Sequence, residues 1–92
     1  MYRIFETKRY RKDLKRAEKR GCDIGKLDAI IKRIAAGEDL PQARRVHTLK
    51  GVYFGYEECH IEPDWLLIYK RQKQQLILIL FRTGTHADLF GE

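Results

Sequence analysis

The chain has 92 residues, 43% of them hydrophobic and 35% charged, with a formal charge of +6; this suits one compact domain rather than a disordered tail, and no second domain is expected. Cys22 and Cys59 form neither a C-x-x-C pair nor the disulfide framework of a small secreted domain, and no signal-type apolar segment follows Met1. The longest apolar run, Leu76 to Phe81, falls far short of the roughly 20 residues that cross a bilayer as a helix, so the expectation is a cytoplasmic protein with no membrane contact.

Tyr2 to Phe5 reads as a short opening strand, and Thr7 stands where an N-cap should before a basic helix running to about Arg20. Tyr10, Leu14 and Ala17 give that helix a narrow apolar stripe, and Gly21 stops it. Asp23 announces a second helix, in which Ile24, Leu27, Ile30, Ile31 and Ile34 repeat at helical spacing until Ala35-Ala36-Gly37. After Asp39-Leu40-Pro41 the pattern changes to extended segments. Strands are predicted near Arg45 to Lys50, Tyr53 to Ile61, Trp65 to Arg71 and Gln75 to Arg82, with turns at Gly51, Glu62-Pro63-Asp64 and Gln72 to Gln74. Leu76 to Phe81 is apolar on both alternating faces, which marks an internal strand. The fold class is therefore α+β, with two N-terminal helices packed on a twisted, mainly antiparallel sheet of four to five strands.

The charge is not spread evenly. Residues 1 to 20 hold nine basic side chains against three acidic, while the remaining 72 residues balance ten against ten. Lys8, Arg9, Lys12 and Lys15 line the first helix, and Lys8 and Arg9 occupy its first turn, where the helix dipole disfavours cations. A polyanionic partner is implied, set against the simpler reading of a solvated basic helix.

Chemistry-bearing side chains gather in the other half. His47, His60, Asp64, Arg82 and His86 all fall at predicted strand ends or turns, and Pro63 forces a bend between His60 and Asp64. Metal-free RNA cleavage needs a base for the 2′-hydroxyl, an acid for the leaving 5′-oxygen, and cations for the crowded phosphate. Histidine serves as acid or base near neutral pH, and arginine forks onto phosphate oxygens. Zinc is the chemical rival, since His47, Cys59, His60, Asp64 and His86 include suitable ligand types. Their spacing argues against it, because no close Cys or His pair occurs and Cys59 and His60 face opposite sides of a strand. No metal and no cofactor is expected.

Three ordered blocks, His47-Thr48-Leu49-Lys50-Gly51, then Gly55-Tyr56 leading to Cys59-His60-Ile61-Glu62-Pro63-Asp64-Trp65-Leu66-Leu67-Ile68-Tyr69, then Arg82-Thr83-Gly84-Thr85-His86-Ala87-Asp88-Leu89-Phe90-Gly91, resemble the YafQ toxins of the RelE/ParE superfamily. The resemblance implies a RelE-like fold and a bacterial type II toxin that enters the A site of the 70S ribosome and cuts mRNA. It also implies a cognate antitoxin, of ribbon-helix-helix type in a two-plus-two heterotetramer, through which alone operator DNA would be bound. The family's catalytic positions match His47, His60, Asp64 and His86, its phosphate-stabilising arginine matches Arg82, and the aromatic that helps to place RNA matches Phe90. Trp65 matches a neighbouring aromatic. One departure is Glu57, where the family commonly has a cation; on an alternating strand it faces away from His60.

On this footing His86 is expected to be the general acid, with either Asp64 or His60 as the base and the basic helix on ribosomal RNA. Two other classes stay open. One is a toxin of the same fold that poisons gyrase by binding, which would need no acid and base. The other is a non-catalytic RNA- or ribosome-binding module.

Overall fold

Thr7 joins the first strand to the first helix, and its hydroxyl serves both. Oγ1 accepts the Tyr10 N–H at 3.0 Å, capping the helix, and donates to the Phe81 carbonyl at 2.8 Å, 74 residues away. In the computed structural model, which describes residues 1–91, the order is β1 (Arg3–Glu6), α1 (Lys8–Lys19), α2 (Ile24–Ala35), β2 (His47–Thr48), β3 (Glu57–Glu62), β4 (Trp65–Gln72), β5 (Ile77–Gly84) and α3 (His86–Phe90). Short 3-10 turns at Gln42–Arg44 and Gly51–Tyr53 flank β2.

The five strands form one sheet in the order β1-β5-β4-β3-β2, parallel only between β1 and β5. One face carries Leu67, Tyr69, Leu78 and Leu80, which pack with Tyr10 and Ala17 of α1 and Leu27, Ile30, Ile31 and Ile34 of α2. Leu66 and Ile68 lie on the opposite face, where the hydrophobic residues packed on them among the described residues are Leu89 of α3, Leu49 and the aromatics Tyr53, Tyr56 and Phe81. The helices therefore leave much of this second face open.

Two irregularities in the ladder decide what that face displays. Between the pairs Tyr69↔Leu80 and Ile68↔Arg82, Phe81 is an extra residue. It reverses the alternation, so Leu78 and Leu80 face the helices while Arg82 stands in the row of Ile68. Ile61 is likewise extra between His60↔Leu66 and Glu62↔Trp65, just before the turn.

Several boundaries differ from the sequence expectation. β2 is only two residues long and β3 begins at Glu57, because Gly51 and Gly55 adopt φ of +70° and +92° and turn the chain between them. Leu76 is in the turn at φ +55°, so β5 starts at Ile77. That strand continues past Arg82 to Gly84, and the loop expected around His86 is instead the short helix α3. Thr85 and Asp88 form a reciprocal capping box at its start. Gly84 is required beside it, since a Cβ there would sit 2.9 Å from the Asp88 side chain.

Candidate active site

Cross-strand register builds the site. His47 lies opposite Glu58, which lies opposite Ile68, while His60 lies opposite Leu66 one row nearer the sheet's end. Side chains two apart on a strand share a face, so His47, Glu58 and His60 stand together on the open side. Glu57, one position out of phase, pairs with Tyr69 on the helix side, where its carboxylate meets Arg71 at 3.1 Å. The unusual anion is thus kept away from the histidines.

Glu58 is a candidate site residue that sequence reasoning missed. Its side chain is 5% exposed, and one oxygen lies 2.7 Å from His47 Nε2 and 3.7 Å from His60 Nε2. A buried carboxylate between two imidazoles fixes the orientation of both rings. Nothing in the linear spacing of positions 47, 58 and 60 announces this trio, because only strand pairing brings them together.

The turn after β3 delivers Asp64 to the start of α3. Asp64 Oδ1 accepts the His86 backbone N–H at 2.9 Å and lies 2.6 Å from His86 Nδ1. A carboxylate can only accept, so the proton sits on Nδ1 and Nε2 is left free. The hydrogen bonds from His86, the backbone one first, hold the Asp64 carboxyl below its ordinary range. The rings of His86 and His60 are 5.9 Å apart, and Phe90 follows at 6.4 Å from His86. An open cleft is lined by Arg45, Val46, His47, Leu49, Glu58, His60, His86 and Phe90.

Arg82 does not line this cleft. Beyond Leu80 the strand β5 has no β1 partner, and Asp13 of α1 takes that place, accepting the Thr83 N–H at 3.2 Å and the Arg82 Nε at 2.6 Å. The guanidinium is buried, and this hydrogen bond raises its pKa further. The exposed cation in the cleft is Arg45, which the sequence reading passed over. Trp65 is also removed from the cleft, buried among the helix-side residues with Nε1 donating to Thr83 Oγ1 at 2.9 Å. Cys59 lies in the same layer, and burial pushes its thiol up to about 12.

The same geometry revises the metal question. The ligand atoms of His47, Glu58 and His60 all lie within 4.8 Å of one another, a set that can hold a divalent ion. The five residues weighed from the sequence lacked its central member, Glu58.

On α1, Lys8, Arg11, Lys12 and Lys15 border a shallow groove, and none of the four is in an ion pair among the described residues. Arg16 and Arg20 differ, reaching Asp88 at 3.7 and 2.6 Å. No helix among the described residues is long and apolar enough to cross a membrane.

Comparison with known proteins agrees with this architecture. The sequence matches the family described as bacterial toxin of type II toxin-antitoxin system, YafQ, over residues 2–91. It is 43% identical over 83 residues to the mRNA interferase toxin YafQ of Escherichia coli K12, covering 89% of this chain and 88% of that protein. Among solved structures, the fold matches the E. coli DinJ-YafQ toxin-antitoxin complex with a TM-score of 0.88 and 41% identity, over 98% of each chain. It matches a metal-bound toxin from Helicobacter pylori with a TM-score of 0.91 and 38% identity, over 98% of this chain and all of that one. The chain therefore belongs to the YafQ family of toxins from bacterial type II toxin-antitoxin systems.

Proposed function

We propose that this protein is a metal-independent endoribonuclease that cleaves mRNA in the A site of the ribosome and so inhibits translation. The observation that carries it is the Asp64–His86 dyad facing His60 and the buried Glu58 across one open cleft. Its nearest functional support is the name of the E. coli relative, an mRNA interferase.

In this reading His86 enters as an imidazolium, keeps its Nδ1 proton on Asp64, which holds the ring and stabilises that charge, and gives its Nε2 proton to the leaving 5′-oxygen. Asp64 already takes two bonds from His86, and its lowered pKa makes it a weak base. That favours His60 for the 2′-hydroxyl proton, with Glu58 behind it. His47 shares Glu58 and orients the phosphate. Arg45 meets the phosphate from the cleft wall, and Arg82 adds positive charge from beneath the sheet edge while holding α1 against β5. Phe90 stacks on the RNA; Trp65 keeps the turn before it in place. Products would be a 2′,3′-cyclic or 3′-phosphate and a 5′-hydroxyl.

The unpaired cations of α1 are assigned to ribosomal RNA phosphates, with Arg9 beside Lys8, Lys12 and Lys15. An antitoxin partner follows from the likeness to YafQ in its complex with DinJ. A ribbon-helix-helix antitoxin in a two-plus-two assembly, itself the reader of operator DNA, and a cytoplasmic location complete the proposal. Incubating the toxin with translating ribosomes and mapping RNA ends tests it: wild type should release fragments and His86→Ala should not.

A further inference from the structure

The open sheet face does not end at the catalytic cleft. A continuous line of rings leads away from it: His86 to Phe90 at 6.4 Å, Phe90 to Tyr53 at 5.6 Å, Tyr53 to Phe81 at 5.9 Å, and Phe81 stacked on Tyr56 at 4.5 Å. Lys70 Nζ then lies 5.6 Å over the Tyr56 ring. Beyond Lys70 the register continues across Ile79 of β5 to Phe5 of β1, which is 49% exposed, with Arg3 over its ring at 5.7 Å. Phe5 and Lys70 are two strands apart, roughly 9–10 Å.

Away from the cleft, where the Asp64 carboxylate is exposed, the charge on this face among the described residues is of one sign. The carboxylates on β1 and β3 are Glu6, Glu57, Glu58 and Glu62. Glu6 is in register with the helix-facing Leu80, Glu57 with Tyr69, and Glu62 with Trp65, which leaves only the buried Glu58 on the open side. Stackable rings interleaved with cations, free of exposed anions among the described residues once past Asp64 in the cleft, and continuous with that cleft, have the chemistry that binds single-stranded nucleic acid.

We propose that the face from Tyr56 across Lys70 to Phe5 and Arg3 is a track for the single-stranded RNA that flanks the cleaved bond. Phe5 stacks on a base, and Lys70 and Arg3 each meet a phosphate. The proposal rests on the nuclease reading above and extends it to a part of the sheet that takes no share in proton transfer.

The test uses purified full-length toxin and non-cleavable 2′-O-methyl oligonucleotides of two lengths, one covering the cleft alone and one able to cross the sheet, with binding followed by fluorescence anisotropy. Wild type should hold the longer strand more tightly. Phe5→Ala should weaken that longer strand by on the order of ten-fold, and Phe5→Trp should restore it. Arg3→Ala with Lys70→Ala should lower the slope of log affinity against log salt by about 0.7 for each phosphate left without its cation. Affinity for the short strand should not change in any variant. The track is overturned if wild type binds both lengths equally, if the advantage of length survives all three alanine replacements, or if those replacements weaken only antitoxin capture. Failure of the nuclease reading would look different: no RNA fragments from translating ribosomes with wild type, whatever the oligonucleotides do.

Discussion

Arg82 Nε donates to Asp13 Oδ2 at 2.6 Å with both side chains nearly shielded from water, joining residues 69 positions apart. The pair finishes the edge of β5 where β1 runs out, and it explains why an aspartate occupies the inner stripe of α1 between Tyr10 and Ala17. Removing Asp13 leaves Arg82 charged and buried, a loss of about 3–5 kcal/mol, whereas removing Arg82 leaves Asp13 the Arg16 guanidinium at 3.0 Å and the Thr83 N–H. Asp13→Ala is expected to lower unfolding free energy by that amount in urea denaturation, and Arg82→Ala by less. The double variant should lose less than the sum. A loss below about 1 kcal/mol in Asp13→Ala, the range of an exposed pair, would contradict this assignment.

Asp64 and His86 are expected to act as one unit. His86→Ala should slow single-turnover cleavage by about 10²- to 10⁴-fold, with little change in thermal midpoint because both side chains are substantially exposed. If Asp64 works through His86, Asp64→Ala added to His86→Ala should slow the reaction no further. Multiplying losses would instead make Asp64 an independent base.

Stability at acid pH should depend on Asp88. Its carboxylate is held well below the ordinary 3.8, first by the hydrogen bond from Arg20 and also by bonds from Thr85. A depressed folded-state pKa means the unfolded chain takes up the proton first, so the contribution is complete above about pH 4 and is lost as pH falls below it. Asp88→Asn should flatten that part of a stability-against-pH curve. An unchanged acid limb would show that Asp88 carries none of it.

The trio His47, Glu58 and His60 predicts competition between metal and catalysis. Chelator should leave cleavage intact, whereas a divalent ion such as Zn²⁺ or Cu²⁺ should bind the toxin and slow it. Titration calorimetry should show Zn²⁺ affinity falling in His47→Ala and in Glu58→Gln. Activity abolished by chelator would reverse the assignment, making the ion a participant.

Much of this was legible in the sequence, for identifiable reasons. Thr7, Asp23 and the 3.6-residue apolar repeat marked both helices because caps and periodicity are local properties. The opposition of Glu57 and His60 followed from strand alternation alone. What stayed hidden was cross-strand: Glu58 becomes a partner of His47 and His60 only through register. Arg82 looked like an exposed strand end because the bulge at Phe81, and Asp13 waiting 69 residues earlier, leave no local trace. The stretch Tyr53 to Tyr56, at the start of the predicted strand, reads as extended by composition, yet Gly51 and Gly55 fold it into a turn.

Mapping RNA ends on a translated mRNA and on the same mRNA without ribosomes, with wild type and His86→Ala, tests the central claim most directly. The account predicts 5′-hydroxyl ends within translated codons for wild type in the presence of chelator, few without ribosomes, and none above background for His86→Ala. Equal cleavage by His86→Ala, or intact mRNA with trapped DNA breaks in wild-type-treated cells, would contradict it.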